Sequence, residues 1–109
     1  MKPIAWIDDT LERLRQFPPA ARNDAGYQLE QVQRGEEPTD WKPMPWIGPG
    51  VNEIRVRTGG AFRVLYVAKF AEAIYVLHAF QKKSGKTTRV DVELSRRRYR
   101  ALVARRRQE

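Results

Sequence analysis

Apolar and polar residues alternate from Val51 onward. Ile54 and Val56 are interleaved with Glu53, Arg55 and Arg57, the period-2 pattern of a strand with one buried face. Thr58-Gly59-Gly60 predicts a tight turn, because glycine reaches positive φ at no steric cost. A second strand is predicted from Phe62 to Ala68, with Arg63 in apolar company. A third runs from Ile74 to Phe80 and stops at Gln81-Lys82-Lys83. Upstream, Ile7, Leu11 and Leu14 fall at helical spacing, with Asp8, Asp9 and Glu12 near the positive end of the helix dipole. Phe17-Pro18-Pro19 ends that helix, since the residue before a proline is driven out of helical geometry. A second helix from Ala20 to Arg34 places Ala21, Ala25, Leu29 and Val32 on one side, and Gly35 stops it.

Between the helices and the strands, Trp41 to Ile47 contains two prolines and reads as an edge strand or an extended loop. Its tryptophans, Trp41 and Trp46, are assigned to packing rather than to stacking on bases. Gly48-Pro49-Gly50 turns the chain into the sheet. Ser84 to Thr87 reads as a loop, and Thr88 with Asp91 forms a loose capping box for a last helix. Val92, Tyr99, Leu102 and Val103 give that helix an apolar stripe. Arg96, Arg97, Arg98, Arg100 and Arg105 to Arg107 cover the rest, as a solvated basic face. Helices, then a sheet, then a helix predict one α+β domain over residues 1–109, with two N-terminal helices packed on a twisted antiparallel sheet of about four strands.

Charge sharpens this picture. Residues 1–50 carry six Lys/Arg against eight Asp/Glu, whereas residues 51–109 carry fifteen against five. A near-neutral half joined to a strongly basic half predicts a polyanion met by one surface, with nucleic acid favoured. Cysteine is absent, so thiol catalysis, disulfides and cysteine-based zinc sites are excluded. One histidine is too few for a histidine metal centre, and no metal or cofactor is expected. No stretch is long and apolar enough for a signal peptide or a membrane span, so a cytoplasmic location is expected.

Two apparent motifs carry little. Gly85-Lys86-Thr87 lacks the earlier glycine of a phosphate-binding loop. His78, within an apolar strand and assigned to the face of Ile74 and Val76, reads as a hydrogen-bonded packing residue before an acid or base. The cations are the stronger signal. If the second and third strands are antiparallel, Lys82 and Lys83 arrive beside Arg63, with Arg55 and Arg57 on the neighbouring strand. Guanidinium forks fit phosphate oxygens in pairs, and crowded cations depress a lysine pKa. The plainer alternative pairs the strand arginines with Glu53 and Glu72.

The segments Gly48 to Arg55, Phe62 to Val67 and Val76 to Lys83 resemble the RelE/HigB superfamily of toxin–antitoxin toxins, in particular its phage-derived HigB-like host-inhibition branch. Phe17-Pro18, Leu29 to Gly35 and Thr87-Thr88 fit the same ordered pattern, so the resemblance spans nearly the whole chain. It implies a RelE-like, microbial-ribonuclease-like fold and a metal-independent mRNA endonuclease acting on ribosome-bound message. The implied catalytic set is Arg55, Arg63, Lys82, Lys83 and Glu53, with Arg63 as the transition-state arginine. Arg57, Lys86, Arg89, Arg96, Arg97 and Arg100 are expected to face RNA and ribosome. The tyrosine that RelE-type toxins place soon after the third strand is missing, since Tyr99 sits on the apolar stripe. The implied partner is an antitoxin with a helix-turn-helix domain, expected to dock on the helical hairpin. Two other readings stay open: a ParE-like gyrase inhibitor on the same scaffold, and a nucleic-acid-binding module without turnover.

Overall fold

In the computed structural model, which describes residues 1–83 and 87–108, the order is β1 (Ile4–Trp6), α1 (Thr10–Arg15), α2 (Pro19–Gln33), β2 (Trp41–Pro43), β3 (Val51–Val56), β4 (Phe62–Val67), β5 (Ile74–Gln81) and α3 (Arg89–Gln108). The five strands form one sheet in the order β1-β5-β4-β3-β2. β2 to β5 pair antiparallel and β1 pairs parallel with β5. The sheet is therefore mixed and one strand wider than expected. β1 and β2 are three-residue edge strands, too short for alternation to show.

The sheet has a helical layer on each face. On one, Leu14, Phe17, Ala21, Ala25, Leu29 and Val32 of the α1–α2 region pack on Ile54, Val56, Phe62, Val64, Tyr66, Ile74, Val76 and Ala79. On the other, Tyr99 and Leu102 of α3, with Met44 and Ile47 from the connection after β2, cover Val51, Leu65, Val67, Leu77 and Phe80. Pro19 opens α2 at its first position, where a missing N–H costs no intrahelical bond. Gly59 and Gly60 adopt φ of 72° and 141° in the turn between β3 and β4, as their sequence predicts. Thr88 caps α3, accepting the Asp91 N–H on Oγ1 at 3.2 Å, while the reciprocal contact runs side chain to side chain, with Thr88 Oγ1 donating to Asp91 Oδ2 at 2.6 Å.

Three expectations need correction. The first helix begins at Thr10, and Ile7 belongs to the opposite core beside Tyr99 and Leu102. His78 does not share the face of Ile74 and Val76. Leu65 pairs with His78 but Tyr66 pairs with Val76, so Leu77 is an extra residue in β5. That bulge reverses the inside–outside alternation. His78 consequently stacks on Phe80 at 4.6 Å and its Nε2 meets Asp91 Oδ1 of α3 at 2.8 Å. Finally, Arg98 is buried rather than solvated. It donates from Nη1 to the Leu77 carbonyl and from Nη2 to Asp9 Oδ1, both at 2.8 Å, clamping α3 to the sheet and to the turn before α1.

Tyr99 is a packing residue, as its position on the stripe suggests. Its hydroxyl donates to the Pro49 carbonyl at 2.8 Å, and its ring lies so close to Gly48 that a Cβ there would stand 2.6 Å from Cδ2. The glycine lets α3 seat against the connection leading into β3.

Burial pushes the His78 pKa below its ordinary value of 6.5, with the Asp91 carboxylate opposing. The unfolded chain therefore takes a proton first as pH falls, so folded-state stability is full above about pH 6.5 and declines below it. With one histidine in the chain, this loss belongs to His78. Urea midpoints measured between pH 7.5 and pH 5.5 should fall, and His78→Gln should flatten the slope. An equal slope in the variant would exclude this origin.

Candidate anion site at the strand ends

β3 and β4 place Arg55 and Arg63 directly opposite one another in the antiparallel register. Like charges in that position repel. What offsets them is Glu53, two residues before Arg55 on the same face and only 2% exposed. Its Oε1 lies 3.5 Å from Arg55 Nε and 3.4 Å from Arg63 Nε. Both contacts are ion pairs without hydrogen-bond geometry, and each Nε lacks a hydrogen-bond partner among the described residues. Thr87 Oγ1 donates to the other carboxylate oxygen at 2.9 Å. The plainer reading of the strand arginines is thus half met. Glu53 takes both, whereas Glu72 is held by Arg106, which pulls its pKa down to about 2.

Lys82 joins this group from the end of β5. Its backbone N–H donates to the Ala61 carbonyl at 2.7 Å, fixing it beside the start of β4 as the antiparallel pairing requires. Burial lowers the Lys82 pKa first, and Arg63, Arg55 and Lys42 lower it further against the pull of Glu53. Burial also lowers the Arg63 pKa, with Glu53 opposing and Arg55 adding. Its guanidinium nonetheless stays charged.

A cleft of about 320 Å³ opens over this group, lined by Lys42, Met44, Trp46, Glu53, Arg55, Lys82, Thr87 and Val92. Lys42 reaches it because β2 pairs Lys42 with Glu53. Four cations, Lys42, Arg55, Arg63 and Lys82, therefore surround one carboxylate. Such an excess of fixed positive charge in a concave, partly desolvated site binds an anion and stabilises charge that develops on it.

The residues expected here divide. Arg55, Lys82 and Glu53 line the cleft. Arg63 is 5% exposed and lies beneath it, donating from Nη1 to the Phe62 carbonyl at 2.9 Å. Lys83 leaves the group, because successive residues after a strand point to opposite sides. It lines a separate groove with Arg13, Gln16, Phe17 and Asp91. Arg57 is bound to Asp40 at 2.7 Å, Arg89 to Glu93 at 2.9 Å, and Arg96 Nε donates to the Trp46 carbonyl at 2.7 Å. Arg97 and Arg100 are exposed on α3, with no ion pair among the described residues. Lys86 lies outside the described residues. No three His, Asp or Glu side chains gather as a metal site among the described residues.

Sequence reasoning missed Lys42, Met44 and Thr87, and assigned Trp46 to packing. Lys42 carries no periodic signal, since its place depends on the register of a three-residue strand. Gln28 was also missed. This buried α2 side chain donates from Nε2 to the Arg55 carbonyl at 3.1 Å and accepts the Asp40 N–H at 3.1 Å. It fastens the backbone beneath the arginines to the opposite helical layer. Gln28→Leu should cost about 1–3 kcal/mol, the usual consequence of stranding buried backbone groups. Urea unfolding would show it, and an unchanged midpoint would remove Gln28 from the support of the site.

Residues 12–100 match the family described as Phage derived protein Gp49-like (DUF891). No curated protein matches the chain.

Proposed function

The chain belongs to the Gp49-like family of phage-derived proteins, a toxin-like family of toxin–antitoxin systems; from that premise we propose that it is a toxin acting as a metal-independent endoribonuclease on translated mRNA. The observation that carries this reading is the cleft in which Lys42, Arg55 and Lys82 converge above buried Arg63 and Glu53. A phosphodiester seated there meets cations on several sides. When the message 2′-hydroxyl attacks the adjacent phosphorus and releases its proton to water, the charge growing on the non-bridging oxygens falls to Arg55 and the lysines. The bond to the 5′-oxygen breaks, leaving a cyclic phosphate and a 5′-hydroxyl. In this reading Lys82, with its lowered pKa, gives that oxygen its proton. Glu53 holds the two guanidinium groups in position and offsets their repulsion.

In this reading the sheet, with a helical layer on each face, is a RelE-like fold and the chain a member of the RelE/HigB superfamily. The exposed arginines of α3, Arg97, Arg100, Arg105 and Arg107, form the long-range attraction for ribosomal and messenger RNA, in the cytoplasm where translation occurs. A toxin-like family suggests an antitoxin. In this reading it carries a helix-turn-helix domain and docks on the α1–α2 layer, where Tyr27 is exposed, leaving the cleft open.

The burial of Arg63 favours a second reading, a ParE-like gyrase inhibitor or a binding module without turnover, because the arginine assigned to the transition state does not line the cleft. Induction in a bacterial culture separates them. Growth arrest with cleaved messages and intact DNA supports the nuclease. DNA breaks with intact messages support gyrase inhibition, and arrest or tight RNA binding with neither lesion supports the passive module.

A further inference from the structure

Trp46 has a property that packing does not explain. It is 49% exposed, while Met44 and Ile47 on either side are 2% and 5% exposed and anchor the turn. The turn is held from both sides: Met44 N–H donates to the Val51 carbonyl at 2.8 Å, and Ile47 N–H donates to the Met44 carbonyl at 3.0 Å. Arg96 Nε reaches over from α3 to the Trp46 carbonyl at 2.7 Å. A large aromatic ring is thus presented to solvent on a fixed backbone, at the rim of the cleft that Arg55 and Lys82 line. Lys42 Nζ stands 5.7 Å from the ring centroid, within cation–π range. Trp41, five residues earlier, lines a different pocket on the opposite side of the sheet, beside Val32 and Tyr66.

A ligand that fills this cleft must offer an anion to Arg55 and Lys82 and a flat π-face to Trp46. A nucleotide of a single strand has both, and a double helix does not, because its bases are stacked inside. At about 320 Å³ the cleft lies at the small end of ligand sites and suits one nucleotide. We propose that Trp46 is a base-stacking platform that receives an unstacked nucleobase of single-stranded RNA next to the phosphodiester held by Arg55 and Lys82. This rests on the reading of those cations as a phosphodiester site. Stacking on an aromatic face tolerates any base, so the platform contributes affinity and position more than sequence choice.

The test uses the purified full-length protein and two fluorescein-labelled probes, a 2′-O-methyl hexanucleotide that cannot be cut and an abasic backbone of equal length. Anisotropy gives the affinities. Trp46→Ala should weaken the base-bearing probe about tenfold or more, the scale of losing one base–aromatic stack, and leave the abasic probe within about twofold. Trp46→Phe should retain most of the affinity but lose the tryptophan quenching that RNA causes in the wild type. Circular dichroism of the variants should be unchanged, since the side chain is on the surface. If Trp46→Ala binds both probes as the wild type does, or weakens both equally, the platform is excluded while the phosphate site stands. If the wild type binds neither probe at low salt, both readings fail.

Discussion

Lys82→Ala should lower RNA cleavage by about 10²–10³-fold, the cost of removing one preorganised donor to a developing oxyanion. Stability should hardly change, by about 0.5 kcal/mol at most. The two expectations follow from one geometry. Lys82 lines the cleft and makes no hydrogen bond through its ammonium group among the described residues, so removing it strands no partner. It also relieves repulsion from Arg55, Arg63 and Lys42, the same repulsion that helps lower its pKa. The pair of measurements is single-turnover cleavage of a short message and urea unfolding. Lys83→Ala is the internal control: it lines another groove and should cleave at nearly the wild-type rate. Equal loss in the two variants would mean that the lysines act as undifferentiated charge.

Arg63→Ala should destabilise the fold by about 3–5 kcal/mol, the scale of breaking a buried ion pair from one side. Glu53 is 2% exposed and would keep only Arg55, whose own side chain is one-quarter exposed. The Phe62 carbonyl would also lose the donor that Arg63 Nη1 supplies. Activity should vanish as well, but at 37 °C a loss of this size confounds chemistry with folding. The double variant Glu53→Leu/Arg63→Met separates them. It removes both buried charges, and should recover much of the lost stability while remaining inactive. A single Arg63→Ala variant with an unchanged urea midpoint would show that the buried pair contributes nothing to the fold.

The central strands were legible because each signal was local. Alternation at Ile54 and Val56, the glycine pair after Thr58, and the Thr88–Asp91 cap each need only neighbouring residues, and all appear as expected. What failed to show depended on pairing. β1 is three residues long, and its apolar residues merge with the helical spacing of Ile7, Leu11 and Leu14. The bulge at Leu77 has no sequence marker, yet it turns His78 to the opposite face and so gives it Asp91 as a partner. Arg98 looked like one more arginine in a basic run until the fold brought Asp9 and the Leu77 carbonyl to it.

The site was half legible for the same reason. Arg55, Arg63 and Lys82 could be grouped once β4 and β5 were taken as antiparallel, since one register places all three at the same end. Lys83 was grouped with them by sequence adjacency, which strand geometry contradicts. Lys42 and Thr87 enter the cleft through contacts across 11 and 34 residues of sequence, Lys42 opposite Glu53 and Thr87 bonded to the same carboxylate, and Trp46 comes to its rim from the connection after β2. No periodicity reports such contacts.

In the proposed function the cationic cleft cuts message without a metal. A bacterial translation extract programmed with one defined mRNA, supplied with the purified chain, tests it most directly when the ends of the RNA fragments are analysed chemically. The effect of EDTA is measured on the short RNA without ribosomes, because ribosomes and extract both need magnesium. Fragments with 5′-hydroxyl and cyclic-phosphate ends are expected, with cleavage of the short RNA unaffected by chelation, ribosomal RNA intact, and a fragment yield about 10²–10³-fold lower from Lys82→Ala. Intact message at protein concentrations that saturate RNA binding, or fragments carrying 5′-phosphates and dependent on a divalent ion, would contradict the proposed function.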